Sequence, residues 1–173
     1  MLAGVAGIVR ALDRAAAMHF GLQFTSGALL VLIAVAGFIG GLISLWGFSL
    51  LVRWTGNWLG GKATVEQLHA AYAWSSVPCL VQLPVWGMLI GFIGPRLFRN
   101  ELTTLAQEPE LAAQIFPLTL LTVILGLWSF VLYCHAITEV QGYQSSWKGL
   151  LNVVLAASLF LVILFPLAVI SGR

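Results

Sequence analysis

The sequence predicts an all-α fold, a polytopic transmembrane helix bundle of four full spans plus an N-terminal helix that is either amphipathic or truncated. Three observations predict it. First, 60% of the 173 residues are hydrophobic and only 8% are charged, whereas soluble domains carry about 25% charged residues. Second, the charges leave four long gaps, from Arg14 to Arg53, Glu66 to Arg96, Glu110 to Glu139 and Lys148 to Arg173. Each gap exceeds the roughly 20 apolar residues that one spanning helix needs. Third, no segment alternates with period two, which argues against a transmembrane barrel. In hydrocarbon each backbone amide must find its partner within its own segment, so helix is the default.

The elements follow in chain order. A first helix at about 3–20 is rich in alanine, and Arg10, Asp13 and Arg14 fall on one face. Its charges follow the apolar run rather than precede it, which is a poor signal peptide. It reads either as an interfacial amphipathic helix or as the tail of a span whose start is missing. A solvated or headgroup-facing stripe accounts for its three charges better than a site does. The first full span is placed at about 26–52 and ends before Gly56, Gly60 and Gly61. The second, about 70–94, ends at Gly94-Pro95. Glu108-Pro109-Glu110 precedes the third, about 114–137, and Gln141-Gly142 with Ser145-Ser146 separates it from the fourth, about 149–171. Free φ at glycine and the missing donor at proline make these the natural breaks. The short connections imply one compact transmembrane domain over residues 1–173, without tandem repeats.

Several function classes are disfavoured. A net charge of +2 without a basic run implies no nucleic-acid partner. The chain has no glycine-rich phosphate loop, metal-spaced Cys/His cluster or nucleophile elbow. No catalytic residue, metal site or cofactor is therefore expected. Ser75 or Ser76 with His69 makes no triad by spacing. Cys79 and Cys134 fall inside spans and read as small buried hydrophobes.

The remaining candidates each have a bland competitor. Gly37 with Gly41, Gly87 with Gly91, and the series Ala36, Gly40 and Ser44 have the four-residue spacing that brings helices close in lipid. Packing within the bundle is favoured over a homodimer face. Pro78 removes the bond to the Trp74 carbonyl and predicts a kink, with Ser75 or Ser76 available for the freed groups. Gln82 beside that kink is either a cavity-lining residue or a satisfied polar group, the latter favoured. His135 and Glu139 share a helix face, with Tyr143 and Lys148 as nearby partners. A loop-ordering pair is favoured over a proton, ligand or metal site, for which only His19 and His69 could add a histidine. His69 with Glu66 reads as a solvated helix start.

Several blocks together resemble the YIP family, the Ypt/Rab-interacting membrane proteins, and most of all its bacterial branch. They are Leu51-Val52-Arg53-Trp54-Thr55-Gly56-Asn57-Trp58-Leu59-Gly60-Gly61-Lys62, then His69-Ala70-Ala71-Tyr72-Ala73-Trp74-Ser75-Ser76-Val77-Pro78. Trp128, seven residues before His135, leads on to Glu139-Val140-Gln141-Gly142-Tyr143 and Trp147-Lys148. The resemblance runs from about residue 5 to the C-terminus. It implies five spans after a cytoplasmic segment, with the match beginning inside the first span, so that segment is absent or Met1 is not the true start. The motif that eukaryotic members carry there is absent too, and Rab binding is not carried over.

The resemblance implies a non-enzymatic membrane organiser that binds protein partners through the Gly60-Gly61 and Gln141–Lys148 loops, in a bacterial inner membrane. Trp74, Pro78, Gln82, His135, Glu139 and Tyr143 join those loops as candidate functional or contact residues. The expected partners are the lipid bilayer and other membrane proteins or a second copy. The rival is a small transporter or channel subunit, drawing on Gln82, His135, Glu139 and the broken second span. On orientation, charge counting and the resemblance disagree, and the family's orientation is preferred. Five basic residues on one face (Arg10, Arg14, Arg96, Arg99, Arg173) against Arg53, Lys62 and Lys148 on the other favour the first as cytoplasmic. The resemblance implies the reverse.

Overall fold

The computed structural model describes residues 1–17, 26–93 and 109–171. His19, Gly94, Pro95, Arg96, Arg99, Glu108 and Arg173, named above, lie outside them. Helices make up nearly all of the described chain, in the order α1 (Leu2–Ala17), α2 (Ser26–Trp58), α3 (Val65–Ser75), α4 (Val77–Ile93), α5 (Pro109–Gln141) and α6 (Ser146–Ser171). Leu30–Trp58, Val65–Phe92 and Ile115–Gln141 are each long and apolar enough to cross a membrane. The apolar stretch Ser146–Val162 opens α6, whose 26 residues suffice for a fourth crossing. Large apolar side chains such as Ile43, Phe116, Leu127 and Leu161 stand exposed on the helices. In water that surface would aggregate; in hydrocarbon it is solvated.

Three boundaries differ from the sequence reading, each for a local reason. α2 and α5 run to Trp58 and Gln141, past the apolar core, because each ends in a Schellman motif. Gly60 (φ 79°) and Gly142 (φ 70°) adopt the left-handed conformation that glycine tolerates. Gly61 N–H then donates to Gly56 O (2.8 Å) and Tyr143 N–H to Thr138 O (3.0 Å). The second span begins at Val65 because Thr64 and Gln67 form a capping box. Gln67 N–H donates to Thr64 Oγ1 (3.3 Å), and Thr64 N–H to Gln67 Oε1 (2.9 Å). Instead of a kink within one helix, the chain breaks at Ser76 between α3 and α4. Pro78 thus sits in the first turn of α4, where its missing donor leaves no gap.

The described residues divide into two compact units, residues 1–42 with 76–129 and residues 43–75 with 130–173. In the first, α1 buries Ala3, Ala6, Val9 and Leu12 and turns Arg10, Asp13 and Arg14 outward. Val9 and Leu12 join Ile33, Val85, Trp86 and Leu89 in one apolar cluster. α1 meets α2 at glycines. A Cβ on Gly7 would collide with the Gly37 carbonyl and the Gly41 backbone, and one on Gly41 with the Ala3 carbonyl. Helices gain no hydrophobic benefit from association in lipid, so backbone approach of this kind supplies dispersion contact instead. Asp13 is more than part of a solvated stripe, because Trp86 Nε1 donates to its Oδ1 (3.1 Å). The burial of Trp86 supplies the reason, since an indole N–H at depth needs an acceptor.

The second unit is built differently. Val52, Leu68, Ile137 and Ala156 are fully buried. Among them lie three equally buried polar residues, Ser49, Thr55 and Asn152.

Candidate functional site

The second unit gathers most of the sequence-derived candidates at the paired ends of α2 and α5. The two Schellman turns place Gly61, Lys62 and Ala63 beside Gln141. Lys62 N–H donates to the Gln141 carbonyl (3.3 Å) and Ala63 N–H to Gln141 Oε1 (3.1 Å). Gln141 Nε2 in turn donates to Val52 O (3.4 Å). One side chain, 2% exposed, therefore closes both loops onto each other. A Cβ on Gly56 or Gly61 would occupy the position of the Gln141 amide and push it off its bonds.

A second chain of bonds runs beside it. Thr55 Oγ1 donates to Asn152 Oδ1 (2.5 Å), Asn152 Nδ2 to the Tyr143 hydroxyl (3.2 Å), and that hydroxyl to Gly56 O (3.3 Å). Thr55 and Asn152 have no exposure at all. In a low-dielectric interior such a chain is strengthened by mutual polarisation and costly to break. Burial pushes the Tyr143 phenol up from its usual pKa, against a smaller downward pull from Asn152. Tyr143 therefore stays a neutral donor across physiological pH. α6 approaches α5 where Gly149 faces Thr138 and the Cys134 carbonyl.

Around this knot the outward side chains are of two kinds. Arg53, Lys62, Glu66, Glu139 and Lys148 are exposed charges. Trp54, Trp58, Trp74 and Trp147 are exposed indoles, the first two with ring centroids 5.0 Å apart. Indoles and charges mixed at helix ends are the composition of a membrane–water interface.

The other candidates are placed as follows. His135 and Glu139 are both exposed, while Tyr143, expected beside them, bonds Asn152 and Gly56 instead. Lys148 opens the first turn of α6 and is exposed. Trp74 is 71% exposed near the end of α3, and Pro78 is buried at the start of α4. Gln82, in the first unit, is buried and donates to Thr122 O (2.9 Å). Gly37 and Gly41 are buried against α1, whereas Gly87 and Gly91 are exposed with open space at their Cβ positions. Among the described residues, no three metal-capable side chains come together. Cys79 and Cys134 are buried free thiols, Cys79 within 3.3 Å of Ser129 Oγ.

Thr55 and Asn152 were not among the sequence-derived candidates, and Gln141 entered only as the start of a loop, although the three tie the site together. A signal existed. Asn152 lies in an otherwise apolar span, and an amide at that depth requires a partner.

Apolar crossings, outward apolar faces and interfacial indoles define an all-α, multi-pass integral membrane protein in contact with lipid. The Yip1 domain model matches residues 1–170. The chain belongs to the Yip1 domain family. It is also similar to the MFS-type transporter ucsD of Acremonium sp, 30% identical over 136 residues. That stretch is 70% of this chain but 22% of the transporter, so the chain spans about a fifth of that relative. No solved structure matches.

Proposed function

We propose that this protein is a non-enzymatic membrane organiser of the bacterial inner membrane, docking other membrane proteins on its paired loops. The observation that carries the reading is the Gln141 clamp. It holds two loops of distant sequence in one arrangement and leaves Lys62, Trp147 and Lys148 on the outside. A preorganised platform loses little entropy when it binds a partner. A photo-crosslinking residue placed at Lys62 or Lys148 tests it. Discrete protein adducts that disappear in Gln141→Ala support the reading, and adducts to lipid alone contradict it.

The transporter-subunit reading has one observation in its favour, the similarity to part of an MFS-type transporter. Transporters place polar residues at membrane depth and repeat their halves. Gln82 is buried but satisfied, and Glu139 is exposed. Solute or proton flux into liposomes, abolished by Glu139→Gln, would move the balance to that reading.

A further inference from the structure

α2 carries one charge in its 33 residues, Arg53, and no carboxylate. The Arg53 side chain is exposed, and among the described residues it has no acidic partner. It stands before the last turn of the helix, so the C-terminal dipole, which fades within one turn, does not account for it. A guanidinium at the edge of hydrocarbon is costly without a counter-ion, and the group it pairs with best is a phosphate or carboxylate.

The same face of α2 fits the molecule that would bring that anion. Ile43, Trp46, Leu50 and Trp54 are each more than half exposed. Spacings of three and four residues put them on one side of the helix with Arg53. Gly47 is exposed on that side too, and a Cβ there would meet nothing. It leaves a notch between Ile43, one turn back, and Leu50, one turn on. The indoles beside the notch are held in place. Trp46 packs edge-on against His69 of α3, with centroids 4.8 Å apart, and Trp54 packs against Trp58. From Ile43 to Arg53 the helix rises about 15 Å at 1.5 Å per residue. That is one leaflet's half of a hydrocarbon core about 30 Å thick. Arg53 thus stands at headgroup level for a lipid whose acyl chain lies along this face. Asn57, one turn further and also exposed, adds an amide donor at the same level. A zwitterionic headgroup would bring its own ammonium beside the guanidinium, which repels it; an anionic headgroup brings none.

We infer that the outward face of α2 binds one anionic phospholipid, its phosphate on Arg53 and Asn57 and an acyl chain in the notch at Gly47. Native mass spectrometry of the full-length chain tests it, from micelles holding equal amounts of dioleoylphosphatidylglycerol and dioleoylphosphatidylcholine. Phosphatidylglycerol adducts should outnumber phosphatidylcholine adducts about threefold, the scale of one exposed ion pair. Arg53→Gln should abolish that preference, whereas Arg14→Gln, which deletes an exposed cation of α1, should keep it. Gly47→Leu should lower the adducts of both lipids, and the open space at its Cβ lets that variant fold. Equal retention of the two lipids by the wild-type chain overturns the assignment, as does a preference for phosphatidylcholine. So does a preference that Arg14→Gln weakens as much as Arg53→Gln, the mark of diffuse surface charge. Adducts that Gly47→Leu leaves unchanged overturn the acyl-chain notch.

Discussion

The two units of this protein solve one problem in opposite ways. Where α1 meets α2, glycine faces glycine, and backbone lies on backbone at Gly7, Gly37 and Gly41. Where α2, α5 and α6 converge, glycine faces amide and hydroxyl side chains: Gly56 and Gly61 against Gln141, and Gly149 against Thr138. The first arrangement relies on dispersion and tolerates no added volume. The second relies on hydrogen bonds and tolerates no lost partner. Lipid offers the first no hydrophobic drive to associate, and burial leaves the second no water to replace a missing bond.

Substitutions that strike one device and spare the other sharpen this comparison. The largest effect is expected from Gly7→Leu, whose side chain would have to enter the backbone of α2. We expect a loss of about 3 kcal/mol, at the upper end for overpacked cores, read by thermal unfolding in detergent micelles. A loss no greater than that of an exposed control would break the account of the first unit. Next comes Asn152→Ala, which strips Thr55 and Tyr143 of a shared partner. A cost of about 2 kcal/mol follows from leaving buried groups unpaired, with faster proteolysis at residues 59–64 as a second readout.

Tyr143→Phe is milder, since it removes a hydroxyl and leaves Gly56 O and Asn152 Nδ2 to adjust; about 1 kcal/mol is expected. The same residue sets a pH dependence. Its folded pKa is raised by burial, so its contribution is complete below the unfolded value of about 10. That contribution is lost as pH rises through the folded value. A titration of stability above neutral pH should fall more steeply in wild type than in Tyr143→Phe. The smallest effect belongs to Gly87→Ala on the exposed face of α4, with unfolding within about 0.5 kcal/mol of wild type. A larger loss, or a change in oligomeric state, would mean that another chain covers this face.

Small-residue spacing alone could not separate Gly37 and Gly41 from Gly87 and Gly91. Both pairs recur every four residues in apolar helices, and among the described residues only one faces a neighbour. The same ambiguity affected Pro78. A proline in an apolar run predicts an interruption, but whether the helix bends or restarts depends on what caps the new start. The His135–Glu139 spacing was equally legible and led elsewhere, because Tyr143 found its partners on α2 and α6.

By itself the sequence determined that this chain crosses a membrane several times as helices. Long stretches without charge, bounded by glycine and proline, leave the backbone no other way to satisfy itself in hydrocarbon. It also carried the family, through blocks whose order survives in one dimension. Only the tertiary structure decided which polar residues matter. Thr55 and Asn152 lie 97 positions apart, and Gln141 and Ala63 lie 78 apart. No periodicity along the chain encodes a hydrogen bond between helices; it exists only once packing has brought donor and acceptor within 3 or so ångströms of each other, about the length such a bond requires.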